Sequence, residues 1–187
     1  MIQQGRSFFS INRPAKHTIA RALARKRVAF RSVNRRGMPG HDAGVQRHHL
    51  LPRQLLSRRC FGLMFDTIGR DLVDFDDFRA NGLLLPATDE ASLRIGMPLH
   101  RGPHRQYNQL VIERVGRIEA HWSKTRFIDA ELAVAEALDR LSLLQSALRR
   151  RLLCERRRLI LNRKDPLGKG FDFAELDSMA EALWKAT

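Results

Sequence analysis

Two pairs of histidines in this 187-residue chain have the spacing of a catalytic metal site. His48 and His49 are adjacent at the edge of an apolar run, and His100 and His104 lie four residues apart. Neighbours in an extended segment point to opposite sides, so one of the first pair can face a metal ion while the other faces a substrate. Two histidines four residues apart at a helix start share one side of it. Three imidazoles around one ion would leave a coordination position open, as catalytic sites require.

The histidine that is left over could move a proton. Its ordinary pKa lies close to neutral pH, so an imidazole beside the metal could take a proton from water. Each pair alone is weak, because a lone His-x-x-x-His is more often a surface pair and a lone His-His is no more specific. The segment Asn-Gly-Leu-Leu-Leu-Pro that begins at Asn81, between the two pairs, makes the combination much more specific.

Short elements are predicted to position these side chains. Residues 45–51 form an extended segment that Pro52 closes, and residues 53–65 have helical spacing of apolar residues. A short apolar strand follows Asn81 and stops at the next proline. Residues 100–122 begin as a loop and become a helix, which Pro103 suits as a first helical residue.

The rest of the chain is predicted to add helices around a small core. Residues 16–32 could form a short basic helix, and a long helix is predicted from about residue 128 to 161. We divide the chain into a basic N-terminal arm over residues 1–40, a core over 41–122 and a C-terminal helical extension over 123–187. Predicted strand content is low and helix content is high.

The charge favours a polyanion as partner. The formal net charge is +14, most basic residues are arginine, and residues 1–40 hold ten basic residues and no acidic one. Nucleic acid or an anionic membrane face would suit this balance, and the planar fork of arginine favours phosphate. A merely solvated basic surface is the alternative. Like charge at this density predicts that the arm is partly disordered when free.

Cysteine usage and hydropathy indicate the compartment in which the protein works. Cys60 and Cys154 lie far apart without Cys-x-x-Cys spacing, so neither a zinc knuckle nor a disulfide framework is indicated, and a reducing compartment is expected. No run of about 18 apolar residues predicts a membrane span. The basic N-terminus lacks the apolar region of a Sec signal. We therefore expect a protein that is cytoplasmic in the producing cell or delivered into a target cell.

Three blocks of sequence together resemble a known nuclease family. RHHLLP, NGLLLP and PLHRGPHRQYN occur in this order and are similar to the AHH nucleases of the HNH/endonuclease VII superfamily, the ββα-metal or His-Me finger enzymes. The resemblance covers roughly residues 41–118. Arg47 stands where the family usually has a small residue, which puts the local packing before the histidine pair in doubt. Pro103 is a second departure, and neither removes a metal ligand.

The resemblance implies a fold and a division of labour among the histidines. The fold is α+β and mostly helical: a small ββα-metal core, with the N-terminal arm and C-terminal helices added. One divalent ion would lie between the hairpin and the helix. By this likeness His48, His100 and His104 are metal ligands, and His49 is the general base that activates water.

Supporting residues are implied in the same way. Asn81 matches the central Asn that holds the loop and orients the base histidine; an ordinary Asn-Gly turn is the alternative. Tyr107 and Asn108 match the close of the family pattern, where helix packing and a local hydrogen bond are equally good interpretations. Arg101, and with it Arg47, could hold the scissile phosphate; for Arg101 a salt bridge is the alternative.

The implied activity is metal-dependent endonucleolytic hydrolysis that leaves 5′-phosphate and 3′-hydroxyl ends. We expect DNA rather than RNA as substrate, and little sequence preference because backbone contacts carry no sequence information. Mg²⁺ is favoured in cells, with Zn²⁺, Ni²⁺ or Mn²⁺ as alternatives. AHH domains commonly act as bacterial toxin modules, which implies a toxin or effector with an immunity protein or a delivery adaptor as partner.

Two other classes of protein stay open. One is a non-catalytic nucleic-acid-binding module whose histidines hold a structural zinc, with His41 as the candidate fourth ligand. The other is a basic helical protein at a membrane surface, which leaves the histidine pattern unexplained. Metal removal should unfold the structural-zinc protein, whereas a catalytic site should lose activity before it loses its fold.

Overall fold

The computed structural model describes residues 26–156 and 158–168. Over these residues the chain is mostly helical with one small antiparallel sheet, which confirms the expected α+β class with a ββα-type core. The predicted basic arm falls largely on residues 1–25, which lie outside the described residues.

The part of the predicted helix 16–32 that is described is not an α-helix. Only a 3-10 turn, Phe30–Ser32, forms there. Instead the backbone N–H of Val28 donates to the carboxylate of Asp77 at 2.9 Å, and its carbonyl accepts from the N–H of Phe78 at 2.7 Å. These long-range hydrogen bonds within the chain compete with helical ones, so the segment lies extended along the rest of the molecule.

Two strands form the sheet that carries the first histidine pair. Strand β1 is Val45–His49, and strand β2 is Gly82–Pro86. They are antiparallel, with His48 opposite Leu83 and His49 opposite Gly82. Successive side chains of β1 therefore alternate between two faces, which separates the adjacent histidines.

Helices follow and separate the strands. In chain order the described α-helices are α1 Arg59–Ile68, α2 Phe78–Asn81, α3 Asp89–Ile95, α4 Arg105–Thr125 and α5 Ala130–Leu153. Two further 3-10 segments are Arg53–Ser57 and Arg70–Val73. Side-chain oxygens of Asp77, Thr88 and Asp129 cap α2, α3 and α5 by accepting from backbone N–H groups in the first turn. None of the helices in the described part of the chain is both long and apolar enough to cross a membrane.

The core lies between α1, α4, α5 and the sheet. Helix α4 buries residues three or four apart, as an amphipathic helix should; these are Tyr107, Val111, Val115, Ile118 and Trp122. The buried apolar cluster extends from Leu50 to Leu161, so it runs across the boundary predicted at 122/123. The division of the chain into arm, core and extension stays a prediction.

Several helix boundaries differ from the sequence prediction. Residues 53–57 are a 3-10 turn before α1 begins at Arg59, and α4 begins at Arg105, two residues after Pro103. Helix α5 ends at Leu153, where Cys154 is extended with φ −78° and ψ 120°, so the predicted end at 161 was wrong. Because the chain folds back there, Leu161 enters the core and is 7% exposed; a continuous helix would carry it away.

Candidate metal and catalytic site

Strand β1 and the start of α4 bring three histidines together. His48 lies in β1, His100 in the loop before α4, and His104 is the residue that precedes the first helical residue. One ligand nitrogen from each lies within 4.8 Å of the others. The ring centroids of His100 and His104 are 4.3 Å apart, and those of His48 and His100 are 4.9 Å apart. The fold therefore brings together the three histidines that were expected to bind a metal ion, and their role as ligands stays a prediction.

Burial keeps these imidazoles neutral. Burial, followed by the charges of the neighbouring histidines, lowers the pKa of His48 to about 2. Burial and the charge of His104 lower the pKa of His100 to about 4. Burial also lowers the pKa of His104, against an opposing interaction with the backbone of Leu161. Near pH 7 the ring nitrogens thus keep lone pairs that could bind a metal ion.

The residues present fit a metal ion. Nε2 of His48 and Nδ1 of His104 are enclosed and have no hydrogen-bond partner among the described residues. A buried polar atom without a partner is unfavourable, so a bound metal ion would satisfy these two nitrogens. The cluster found in residues 26–156 and 158–168 contains three side chains and does not include His41. Structural zinc sites usually have four protein ligands, so three suit a site with an open position.

Neighbouring side chains contact two of the three clustered histidines. Oε1 of Gln46 is 3.3 Å from Nδ1 of His100. The buried hydroxyl of Tyr107 donates to the carbonyl of Leu50 at 2.7 Å, and its ring lies edge-on to His48 at 4.9 Å between centroids. Burial raises the pKa of Tyr107, so it stays a hydrogen-bond donor. Such outer contacts fix ligand rings before a metal binds.

His49 lies outside the cluster under an aromatic ring. The ring of Phe30 is parallel to the imidazole within 2°, with 3.7 Å between centroids. Phe78 supports Phe30 edge-on at 5.2 Å. Burial, then the positive charges of Arg53 and Arg47, lower the pKa of His49. The fourth histidine is therefore held neutral and oriented, as a general base must be.

Asn81 holds the chain that carries His49. It is fully buried; its Oδ1 accepts from the N–H of Leu51 at 2.7 Å, and its Nδ2 donates to the carbonyls of Leu51 and Phe75. The hydrogen bonds of its side chain within the described residues reach these backbone groups and Gln145, and none reaches the imidazole of His49. Asn81 can therefore influence the orientation of His49 only by fixing the end of β1.

The remaining predicted site residues have structural contacts. Arg47 donates to the carbonyl of Phe30 at 2.8 Å, and Arg101 forms an ion pair with Asp89, the alternative anticipated from the sequence. Asn108 lies in the first turn of α4, where its N–H donates to the carbonyl of His104 at 2.9 Å. Phosphate-binding roles for the two arginines stay predictions.

Sequence reasoning missed several residues that contact the site. Gln46 could have been found, because it precedes His48 by two residues and shares its face of β1. Phe30 gave no such signal, since it lies in a basic segment without apolar periodicity. Gln145 contacts Asn81 from α5, 64 residues away, and only the folded chain reveals it.

Clustered histidines between a two-stranded antiparallel sheet and a helix, with a further histidine beside them, are typical of ββα-metal nucleases. A family model described as a nuclease family of the HNH/ENDO VII superfamily with conserved AHH matches residues 29–147. The match covers more than half of the chain, so the chain belongs to the AHH family of nucleases. No curated protein and no solved structure matches it.

Proposed function

We propose that this protein is a metal-dependent endonuclease that hydrolyses phosphodiester bonds in DNA with little sequence preference. The observation that carries the proposal is the separation of roles among four histidines. Three converge with ligand atoms within 4.8 Å, while His49 lies apart under Phe30. The membership of the chain in a nuclease family supports the same reaction class.

Each histidine has a chemical task in this proposal. His48, His100 and His104 would hold one divalent ion, which when bound would offset the negative charge that develops on the phosphate and on the leaving 3′ oxygen. His49 is neutral near pH 7, so its imidazole can accept a proton from the attacking water. Phe30 restrains the ring, and Asn81 fixes the end of β1. Cleavage would leave a 5′-phosphate and a 3′-hydroxyl.

A basic cavity beside the histidine cluster supports nucleic acid as the substrate. It measures about 520 Å³ and is lined by Arg31, Asn34, Arg35, Arg36, His41, Val45, Gln46 and Arg47. Gln46 joins it to the metal site, because the same side chain contacts His100. Four arginines and no carboxylate suit a phosphate backbone, which is recognised without regard to base sequence.

The proposal also covers the metal ion and the biological role. Mg²⁺ is the ion we favour in cells, whereas Zn²⁺, Ni²⁺ and Mn²⁺ suit histidine ligands and should be compared with it. We further propose a bacterial toxin or effector role with an immunity protein or delivery adaptor as partner. The exposed Phe127 and Ile128 between α4 and α5 offer such a partner an apolar contact.

Plasmid cleavage tests the main proposal. Purified protein is incubated with supercoiled DNA or with RNA in EDTA, Mg²⁺, Mn²⁺, Zn²⁺ or Ni²⁺, beside His49→Ala and a control, His121→Ala. His121 pairs with Glu136, away from the cluster. We expect metal-dependent cleavage that is lost in His49→Ala, while metal binding survives. Absence of cleavage in every arm, with a tightly held zinc whose removal unfolds the chain, would instead identify the structural-zinc module.

The cavity has its own test. We expect Arg35→Gln with Arg36→Gln to weaken DNA binding several-fold, to raise KM with little change in kcat, and to reduce the salt dependence of binding. Arg114→Gln with Arg117→Gln removes two exposed arginines of α4 and serves as the matched control. Equal losses in both pairs would show that general charge, rather than this cavity, binds DNA.

A further inference from the structure

The chain beyond α5 returns to the loop that carries two of the metal ligands. We call residues 159–168 the closing segment; it lies outside the matched residues 29–147. Leu161 anchors it in the core at 7% exposed, and Asp165 is 5% exposed. A carboxylate is rarely buried to this extent without partners, so the contacts of Asp165 show which parts of the molecule the closing segment is attached to.

Asp165 joins the closing segment to the residue before His100. Its Oδ2 accepts from the N–H of Leu99 at 2.9 Å in a buried hydrogen bond. Its Oδ1 accepts from the N–H of Leu167 at 3.0 Å, which shapes the turn of the segment itself. One side chain thus fixes both the segment and the position of the His100 backbone.

Two more contacts lie along the same loop. Nδ2 of Asn162 donates to the carbonyl of Arg101, the residue after His100. The backbone of Leu161 interacts with the imidazole of His104. The closing segment therefore contacts the loop before His100, after His100 and at His104. These contacts extend over the part of the loop before α4 that holds the two histidines.

From these contacts we propose that the closing segment is part of the metal site, with Asp165 and Asn162 as positioning residues for His100 and His104. The proposal rests on the proposed metal-dependent function. Loop ligands have more freedom than a strand ligand such as His48, so they need an outside support to hold one geometry. The loss of such outer contacts typically weakens metal affinity by about 10- to 100-fold.

Metal affinity and the cobalt spectrum test this without a nuclease assay. The full chain is titrated with Co²⁺ and Zn²⁺, and the Co²⁺ absorption bands report ligand geometry. We expect Asp165→Ala to weaken Co²⁺ binding about tenfold or more and to change the bands. Asp165→Asn loses the same charge but keeps one acceptor oxygen, so it should bind better than Asp165→Ala. That difference separates hydrogen bonding from charge.

A second variant keeps the test valid if Asp165→Ala does not fold. Asn162→Asp removes the donor to Arg101 and keeps the oxygen that accepts from the N–H of Lys164. It should also weaken Co²⁺ binding, whereas Lys164→Gln, an exposed change in the same segment, should not. Wild-type affinity and bands in Asp165→Ala and Asn162→Asp would overturn the proposal. A wild-type protein that binds no metal would instead overturn the proposed function.

Discussion

In the proposed reaction, the stacked pair of Phe30 and His49 shows how a single apolar residue can support a general base. A ring held parallel at 3.7 Å restricts rotation of the imidazole without donating or accepting a hydrogen bond. It also excludes water from one face, which contributes to the burial that lowers the pKa of His49. The pKa of His49 is lowered although the charge of Asp76 opposes this shift, and the imidazole is thereby kept neutral in a fixed orientation.

We expect Phe30→Ala to lower kcat by about tenfold, because a loosened base spends less time in the productive orientation. Metal affinity should stay unchanged, since Phe30 does not contact the cluster. DNA cleavage at saturating substrate and Co²⁺ titration measure the two effects. Phe127→Ala, at a side chain 79% exposed, is the control. A loss of metal binding in Phe30→Ala would contradict this assignment.

Asn81 is a single residue that should contribute strongly to the stability of the fold. In Asn81→Ala the buried N–H and carbonyl of Leu51 and the carbonyl of Phe75 lose their partners. We expect the free energy of unfolding to fall by about 3 kcal/mol, measured by urea denaturation. Activity that disappears with no change in stability would show that Asn81 acts on His49 directly.

At the scale of elements, the two-stranded sheet depends on a close approach between Gly82 of β2 and Phe78 of α2. Gly82 lies opposite His49, and a Cβ there would lie only 2.2 Å from Cδ2 of the Phe78 ring. Phe78 in turn supports Phe30 against His49. The Asn-Gly pair is thus a packing requirement rather than a turn: Asn81 ends α2, and the glycine makes room for the aromatic stack.

Gly82→Ala should therefore lower both stability and activity. Overpacking of this kind costs about 2 kcal/mol of unfolding free energy, and displacement of Phe78 should disturb the base through Phe30. Thermal unfolding and DNA cleavage measure the two effects. Gly116→Ala in α4, where an added Cβ meets nothing within 4 Å, is the matched control and should stabilise by up to about 1 kcal/mol. Equal behaviour of the two variants would refute the packing argument.

The sequence predicted the elements that carry the chemistry better than those that support it. The histidine pairs and the segment after Asn81 are local patterns, and the apolar stripe of α4 has a clear helical period. The fold class followed from the same blocks. The closing segment could not be predicted, because nothing near Asp165 in sequence indicates that its partner is Leu99, 66 residues earlier. The end of α5 was missed for the same reason: burial of Leu161 depends on tertiary packing.

At the scale of the whole molecule, the metal-free protein should be sensitive to acid. Unfolded His48 binds a proton at its ordinary pKa of 6.5, whereas the folded chain binds it only near 2. Between these values the unfolded state binds more protons, so stability is full above 6.5 and falls as the pH decreases. This residue alone should remove about 1.4 kcal/mol per pH unit below about pH 6.5.

Urea unfolding in EDTA at several pH values between about 7.5 and 5 checks this expectation. His48→Gln cannot take up that proton, so its stability should depend on pH less steeply, by about one proton. The other buried histidines should account for the slope that is left, since burial lowers their pKa values as well. An unchanged slope in His48→Gln would contradict the assignment.

The parallel rings of Phe30 and His49 also give the protein a built-in magnetic reporter. Carbon-bound imidazole protons that lie over the face of a phenyl ring experience its ring current, which moves their NMR resonances upfield. The protons of His49 should therefore stand apart from those of a histidine without such cover, such as His121. Their return to ordinary positions when DNA is added would show that the substrate displaces Phe30, and their persistence would show that the aromatic cover stays in place while the enzyme is loaded.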